Sequence, residues 1–136
     1  MILSELKVAG ILRSMPTNTA SRMMDDIEPA LLVFLQEKVN SFVKWDLVRF
    51  FHDNPHAADT VENIARYTGR VSQQIGGEVT ELVQAGVLEQ QAAGNQTIYT
   101  LSRNAEMRKL IRSFVLACDD RNFRVWAISQ VIRSMR

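Results

Sequence analysis

Arg66, Arg70, Ser72, Gln73 and Gln74 fall within nine residues of one another, and a sixth polar side chain of interest, Gln96, follows in a small-residue segment. Their chemistry is recognition rather than bond breaking. A glutamine amide carries a donor and an acceptor side by side, so it can hold adenine at two points. A serine hydroxyl bonds phosphate or base, and a guanidinium in a turn suits a phosphate. Nucleophilic or acid–base chemistry has no comparable cluster: no nucleophile lies at a recognised spacing from a base, and no glycine-rich phosphate loop follows a strand. The chain is therefore expected not to be an enzyme and to need no cofactor.

Two other groups have the right atoms for chemistry. His52, Asp53, His56 and Asp59 could ligate zinc or nickel, but Asp53-Asn54-Pro55 is explained by helix termination, because the residue before proline is pushed out of the helical region. No metal site is assigned. Cys118 is the single cysteine, which excludes an internal disulfide, and it occupies an apolar position of an amphipathic helix, where a thiol acts as a small hydrophobe.

The elements that must position the recognition residues are legible around them. Thr60 caps a short helix bearing Val61, Ile64 and Ala65, with Glu62 in its first turn where the helix dipole favours negative charge. Gly69 ends it. Ser72 is expected to cap a second helix, 72–84, with Ile75, Val79, Leu82 and Val83 at helical spacing and Ala85-Gly86 closing it. So short a glycine-containing turn makes the pair cross steeply. Two β-prone runs follow, Val87–Gln91 and Gln96–Leu101, joined by Ala92-Ala93-Gly94-Asn95, and Tyr99 and Leu101 alternate with polar neighbours.

This segment, Ile64-Ala65 through Gly69, Ser72, Ile75, Val79, Leu82 and Ala85-Gly86-Val87-Leu88 to Tyr99-Thr100-Leu101, resembles the winged helix-turn-helix of bacterial ArsR- and MarR-type transcriptional regulators. In those families a pattern of the kind LA…G…S…V…L…L…AGLV precedes a wing ending in Y-x-L. The likeness covers roughly 60 residues, all of them chiefly packing positions. It implies a mainly α fold with a small β-hairpin, a winged helix-turn-helix with additional N- and C-terminal helices. It also implies a regulator reading duplex DNA with the 72–84 helix and the 87–101 wing. Arg66, Arg70, Ser72, Gln73, Gln74 and Gln96 would then lie nearest the DNA. The alternative is a winged-helix protein–protein interaction or scaffold module without DNA binding.

Charge is the argument for that alternative. Residues 41–102 hold four basic side chains against seven acidic ones, a net −3, whereas residues 103–136 hold eight against three, a net +5. Phosphate neutralisation supplies most non-specific DNA affinity. Where the related regulators show polar and basic residues, this chain has Gly76, Gly77 and Glu78, and the wing tip Gly94-Asn95-Gln96 carries no arginine. The two glycines mark either a close helix–helix approach or a distorted helix. The cysteines through which many ArsR-type sensors hold metal are absent.

The rest of the 136 residues divides into an N-terminal arm, 1–27, and a single domain, 28–136, whose winged core is 41–102. Residues 2–13 are either a short amphipathic helix that packs on a partner subunit or a poorly ordered tail. Asp25, Asp26 and Glu28 before Pro29 are a helix start, followed by Leu31, Leu32, Phe34, Leu35 and Val39. A run from Phe42 to Phe51, with Ser41 as a cap, precedes the connector Ala57-Ala58-Asp59. After the wing, Met107, Leu110, Ile111, Phe114, Val115 and Cys118 make an amphipathic helix, Asp119-Asp120 breaks it, and a last helical run carries Phe123, Trp126 and Val131. These apolar helices exceed what the core needs, so 103–136 is expected to form a homodimer interface. With no span of about 20 apolar residues and no basic leader before the first apolar stretch, the chain is expected to be cytoplasmic and without a membrane partner.

Overall fold

The computed structural model describes residues 29–135, and the N-terminal arm 1–27 lies outside them. Six helices and one sheet are present among the described residues: α1 (Pro29–Glu37), α2 (Phe42–Asp53), β1 (Ala58–Asp59), α3 (Val61–Tyr67), α4 (Ser72–Gln84), β2 (Leu88–Ala93), β3 (Gln96–Leu101), α5 (Ala105–Ala117) and α6 (Arg121–Ser134). The fold is mainly helical with a small antiparallel sheet. Among the described residues no helix is long and apolar enough to cross a membrane.

The chain falls into two compact units. One contains 29–41 and 112–135, the other Phe42–Ile111. In the first, α1 packs against α6. Phe34 meets Phe114 edge-on at 5.6 Å, and Leu35, Cys118, Phe123, Trp126 and Val131 are buried. Asp120 caps α6, its Oδ1 accepting from the N–H groups of Asn122 at 2.8 Å and Phe123 at 3.2 Å. One half of the Asp119-Asp120 break is thus also a start signal.

In the second unit the sheet order is β1-β3-β2, all antiparallel. β3 is central because Ala58 pairs with Thr100 on one side while Leu88 pairs with Leu101 on the other. Tyr99 and Leu101, two positions apart and so on the same face of the pleat, are both buried. The hairpin is tighter than its sequence suggests: Ala92 and Ala93 belong to β2, and only Gly94 and Asn95 turn the chain. Gly94 takes φ +64, as the first central residue of a type II′ turn requires, so two residues suffice. Ala58-Asp59, expected to be a plain connector, is a third strand too short to carry a periodic signal.

The core under this sheet is built by Trp45, Leu47, Val48 and Phe51 of α2, Ile64 and Ala65 of α3, Ile75, Val79 and Leu82 of α4, and Val87 and Leu88. Both α3 and α4 end in the same way. Past α3, the N–H groups of Gly69 and Arg70 return to the carbonyls of Arg66 and Ala65. Past α4, those of Gly86 and Val87 return to Val83 and Leu82. These paired returns satisfy carbonyls that each helix end would otherwise leave bare. The glycines at φ +72 and +81 make the reversal possible.

Candidate nucleic-acid interface

Thr60 caps α3 as its residue type predicts, accepting from the Asn63 N–H at 3.3 Å. The neighbouring Asp59 is a larger organiser than the sequence suggested. Its Oδ1 accepts from Thr60 N–H at 2.9 Å and Asn63 Nδ2 at 2.7 Å, and its Oδ2 accepts from the Tyr67 hydroxyl at 3.1 Å. The Asn63 bond first, then the Thr60 N–H, hold the Asp59 carboxyl below its ordinary range, and the same carboxylate pushes the Tyr67 hydroxyl up. Tyr67, exposed on its other side, lies nearly parallel to Phe50 of α2 at 5.7 Å. The entry to α3 is therefore rigid. His52 bonds Asp53 instead of approaching Asp59, and no group of three His, Cys, Asp or Glu side chains among the described residues is arranged to hold a metal.

Helix α4 starts one residue earlier than Ser72 suggests: Val71 is its N-cap, in extended conformation, and Ser72 is the first helical residue. Valine has no side-chain acceptor, so the cap is made from the third helical position. Gln74 Oε1 reaches back to accept the Val71 N–H at 3.0 Å, the reciprocal half of a capping box. That bond occupies the Gln74 amide oxygen.

One face of α4 is committed to the fold. Ile75, Val79 and Leu82 are fully buried. Beside them Lys44 of α2, only 5% exposed, donates its ammonium to Glu81 and lies 3.8 Å from Glu78, tying α2 to α4. The opposite face is a strip of exposed residues at helical spacing, Gln73, Gly77, Thr80 and Gln84. It contains no Lys or Arg. The Thr80 hydroxyl turns back to the Gly76 carbonyl at 3.1 Å. α4 is continuous through Gly76 and Gly77, and among the described residues no atom beyond the adjacent helix backbone lies within 4 Å of where a Cβ would stand at either.

The arginines frame the start of this face with unequal freedom. Arg70, in the turn before α4, is bound to Asp46 of α2. Arg66 is exposed and donates to the neutral Asn63 side chain at 3.1 Å. Arg49 lies 3.8 Å from Asp53, and Arg103 meets Glu89 at 3.1 Å. The Glu89 carboxyl also accepts the Arg103 backbone N–H at 2.8 Å, and that bond chiefly holds it below its ordinary range. The fold thus gathers Arg66, Arg70, Ser72, Gln73 and Gln74 at the α3–α4 turn. Gln96 stands elsewhere, at the hairpin turn, lining an open groove of about 390 Å³ with Asn95, Thr97 and Tyr99 and with Thr60, Val61 and Glu62 at the start of α3. Sequence reasoning missed Thr80 and Gln84, whose signal was their i+7 and i+11 spacing from Gln73. It also missed Lys44 and Asp46, which carry no local signal because their partners lie on other helices.

Comparison of the chain with family models, with curated proteins and with solved structures gave no match.

Proposed function

We propose that residues 42–111 form a winged helix-turn-helix that reads duplex DNA, and that the chain is a DNA-binding transcriptional regulator. The observation that carries this reading is the outward face of α4. It is a straight strip of exposed, uncharged hydrogen-bonding side chains with a bare glycine at its centre, on a helix whose other face is anchored by Ile75, Val79, Leu82 and the Lys44 bridge. A helix held this firmly and left polar outward has the form of a recognition helix, whose early residues meet base edges in the major groove. Arg66 beside its start serves phosphates, Arg70 does so only by leaving Asp46, and the hairpin follows as the wing. Such a regulator works in the cytoplasm and carries out no catalytic step.

The same reading includes a homodimer through the terminal helices. Val33 on α1, Leu116 on α5, and Ile132 on α6 with Met135 beyond its end are large apolar side chains about half exposed in a single copy. A two-fold dimer would present two α4 helices to paired half-sites. A monomeric mass by light scattering at micromolar concentration would remove this part of the proposal.

A second reading, a protein-interaction module, is favoured by one specific observation. Most arginines and lysines of the unit already have acidic or backbone partners, and Glu62 lies with the hairpin turn in the same groove. Fluorescence anisotropy with mixed-sequence duplex DNA separates the two. With about two to four phosphate contacts, affinity should fall roughly tenfold to a hundredfold between about 50 and 200 mM salt. Absence of binding at the lower salt would favour the protein-interaction reading.

A further inference from the structure

We infer that the outward face of α4 reads A·T base pairs in the major groove, with Gln73 holding adenine and the notch at Gly77, beside Thr80, receiving the thymine methyl. The inference rests on the DNA reading proposed above and names what that surface selects.

The side chains that specify G·C pairs are missing from the strip. Guanine is most often held by Arg or Lys at O6 and N7, and cytosine N4 by a carboxylate. Gln73, Gly77, Thr80 and Gln84 offer neither, and Glu81 at the strip's edge already accepts the Lys44 ammonium. Adenine presents N7 as acceptor and N6 as donor, which a glutamine matches only with both amide atoms available. Gln74 has spent its oxygen on the Val71 N–H. The side chain of Gln73, exposed one residue earlier, makes no hydrogen bond among the described residues, so both its amide atoms remain for a base.

Gly77 supplies the second half. Two glycines in a helix interior cost stability relative to alanine, and the described residues show no packing need for them: neither has a neighbour beyond the adjacent helix backbone within 4 Å of a Cβ position, and neither takes positive φ. On the exposed strip, a missing Cβ between Gln73 at i−4 and Thr80 at i+3 leaves a hollow the size of a methyl group. Thr80 has turned its hydroxyl to the Gly76 carbonyl, so its methyl is its remaining group. Thymine's C5-methyl is the apolar feature of the major groove, and threonine methyls are suited to touch it. From Gln73 to Thr80 the helix rises about 10 Å, which matches about three base-pair steps of 3.4 Å.

The test uses the full chain and base analogues that alter only the major-groove edge. Competition anisotropy would compare duplexes of equal length made of A·T or of G·C pairs, at one salt concentration. The A·T duplex should then be remade with 7-deazaadenine, which lacks N7, and with uracil, which lacks the methyl. The expected result is binding of the A·T duplex on the order of tenfold tighter, weakened several-fold by either analogue. Gln73→Ala should remove the effect of 7-deazaadenine. Gly77→Ala should remove the effect of uracil while raising the melting temperature, which shows that the variant is folded. Equal binding of A·T and G·C, or a preference indifferent to both analogues, would overturn the inference and leave the DNA reading standing. Binding to neither duplex would overturn both.

Discussion

The two faces of α4 obey opposite rules. Inward, Ile75, Val79 and Leu82 are sealed, and beside them the Lys44 ammonium, on a residue only 5% exposed, ties α2 to Glu81 at the edge of this face. Outward, Gln73, Gly77, Thr80 and Gln84 contribute little or nothing to the fold, and Gly77 costs stability. On the proposed reading, stability and recognition lie on separate sides of one helix. Inward substitutions should therefore lower stability, whereas outward ones should weaken DNA binding without lowering stability.

The largest effect should come from the inward face. Leu82→Ala removes a fully buried side chain and should cost about 2–5 kcal/mol, visible as an early urea midpoint, with any loss of DNA binding following from unfolding. Lys44→Ala comes next. Glu78 and Glu81 keep part of their access to water, their side chains being 29% and 59% exposed, so the loss should be about 1–2 kcal/mol. Lys44→Met, which keeps the packing, should restore part of it. On the outward face the sign reverses. Gly77→Ala should stabilise the protein by about 0.8–1 kcal/mol and weaken DNA binding, whereas an equal gain in both would break the separation of the two faces. Gln73→Ala should leave the urea midpoint within about 0.5 kcal/mol while binding drops.

The smallest effect is a pH dependence at the entry to α3. Because the Asp59 carboxyl is held below its ordinary value, near 3.9, the stability it contributes is fully present above that value. It is lost as pH falls through the lower folded value. Native protein and Asp59→Asn should differ in urea midpoint at pH 7, and the difference should narrow near pH 3.

Much of this arrangement is written locally in the chain. Thr60 with Asn63, Gly69, and Gly86 before Val87 are each read from residue type and spacing, because a cap or a positive-φ reversal depends on a few adjacent residues. The periods of α4 and α5 are equally plain. What is not legible depends on partners distant in sequence. Lys44 looks like a solvent-facing lysine until α4 brings Glu78 and Glu81 over it, and Arg70 looks like a free phosphate ligand until Asp46 is placed beside it. The strand at Ala58-Asp59 exists only because β3 has an open edge there. The cap of α4 misled for a different reason: Ser72 is the better capping residue, but Gln74 reaches back to Val71 and moves the start by one position. The glycine pair was legible as a cost and not as a use, since only the structure shows that nothing in the fold fills the space beside it.

Titrating duplex DNA into isotope-labelled protein and following backbone amide resonances would show whether the outward face of α4 meets DNA, as proposed. The largest shifts should fall on Gln73, Gly77 and Thr80 and on Arg66 and Arg70 before them, with Ile75, Val79 and Leu82 little changed. Shifts confined to residues 112–134, or spectra unchanged by DNA at low salt, would contradict that proposal.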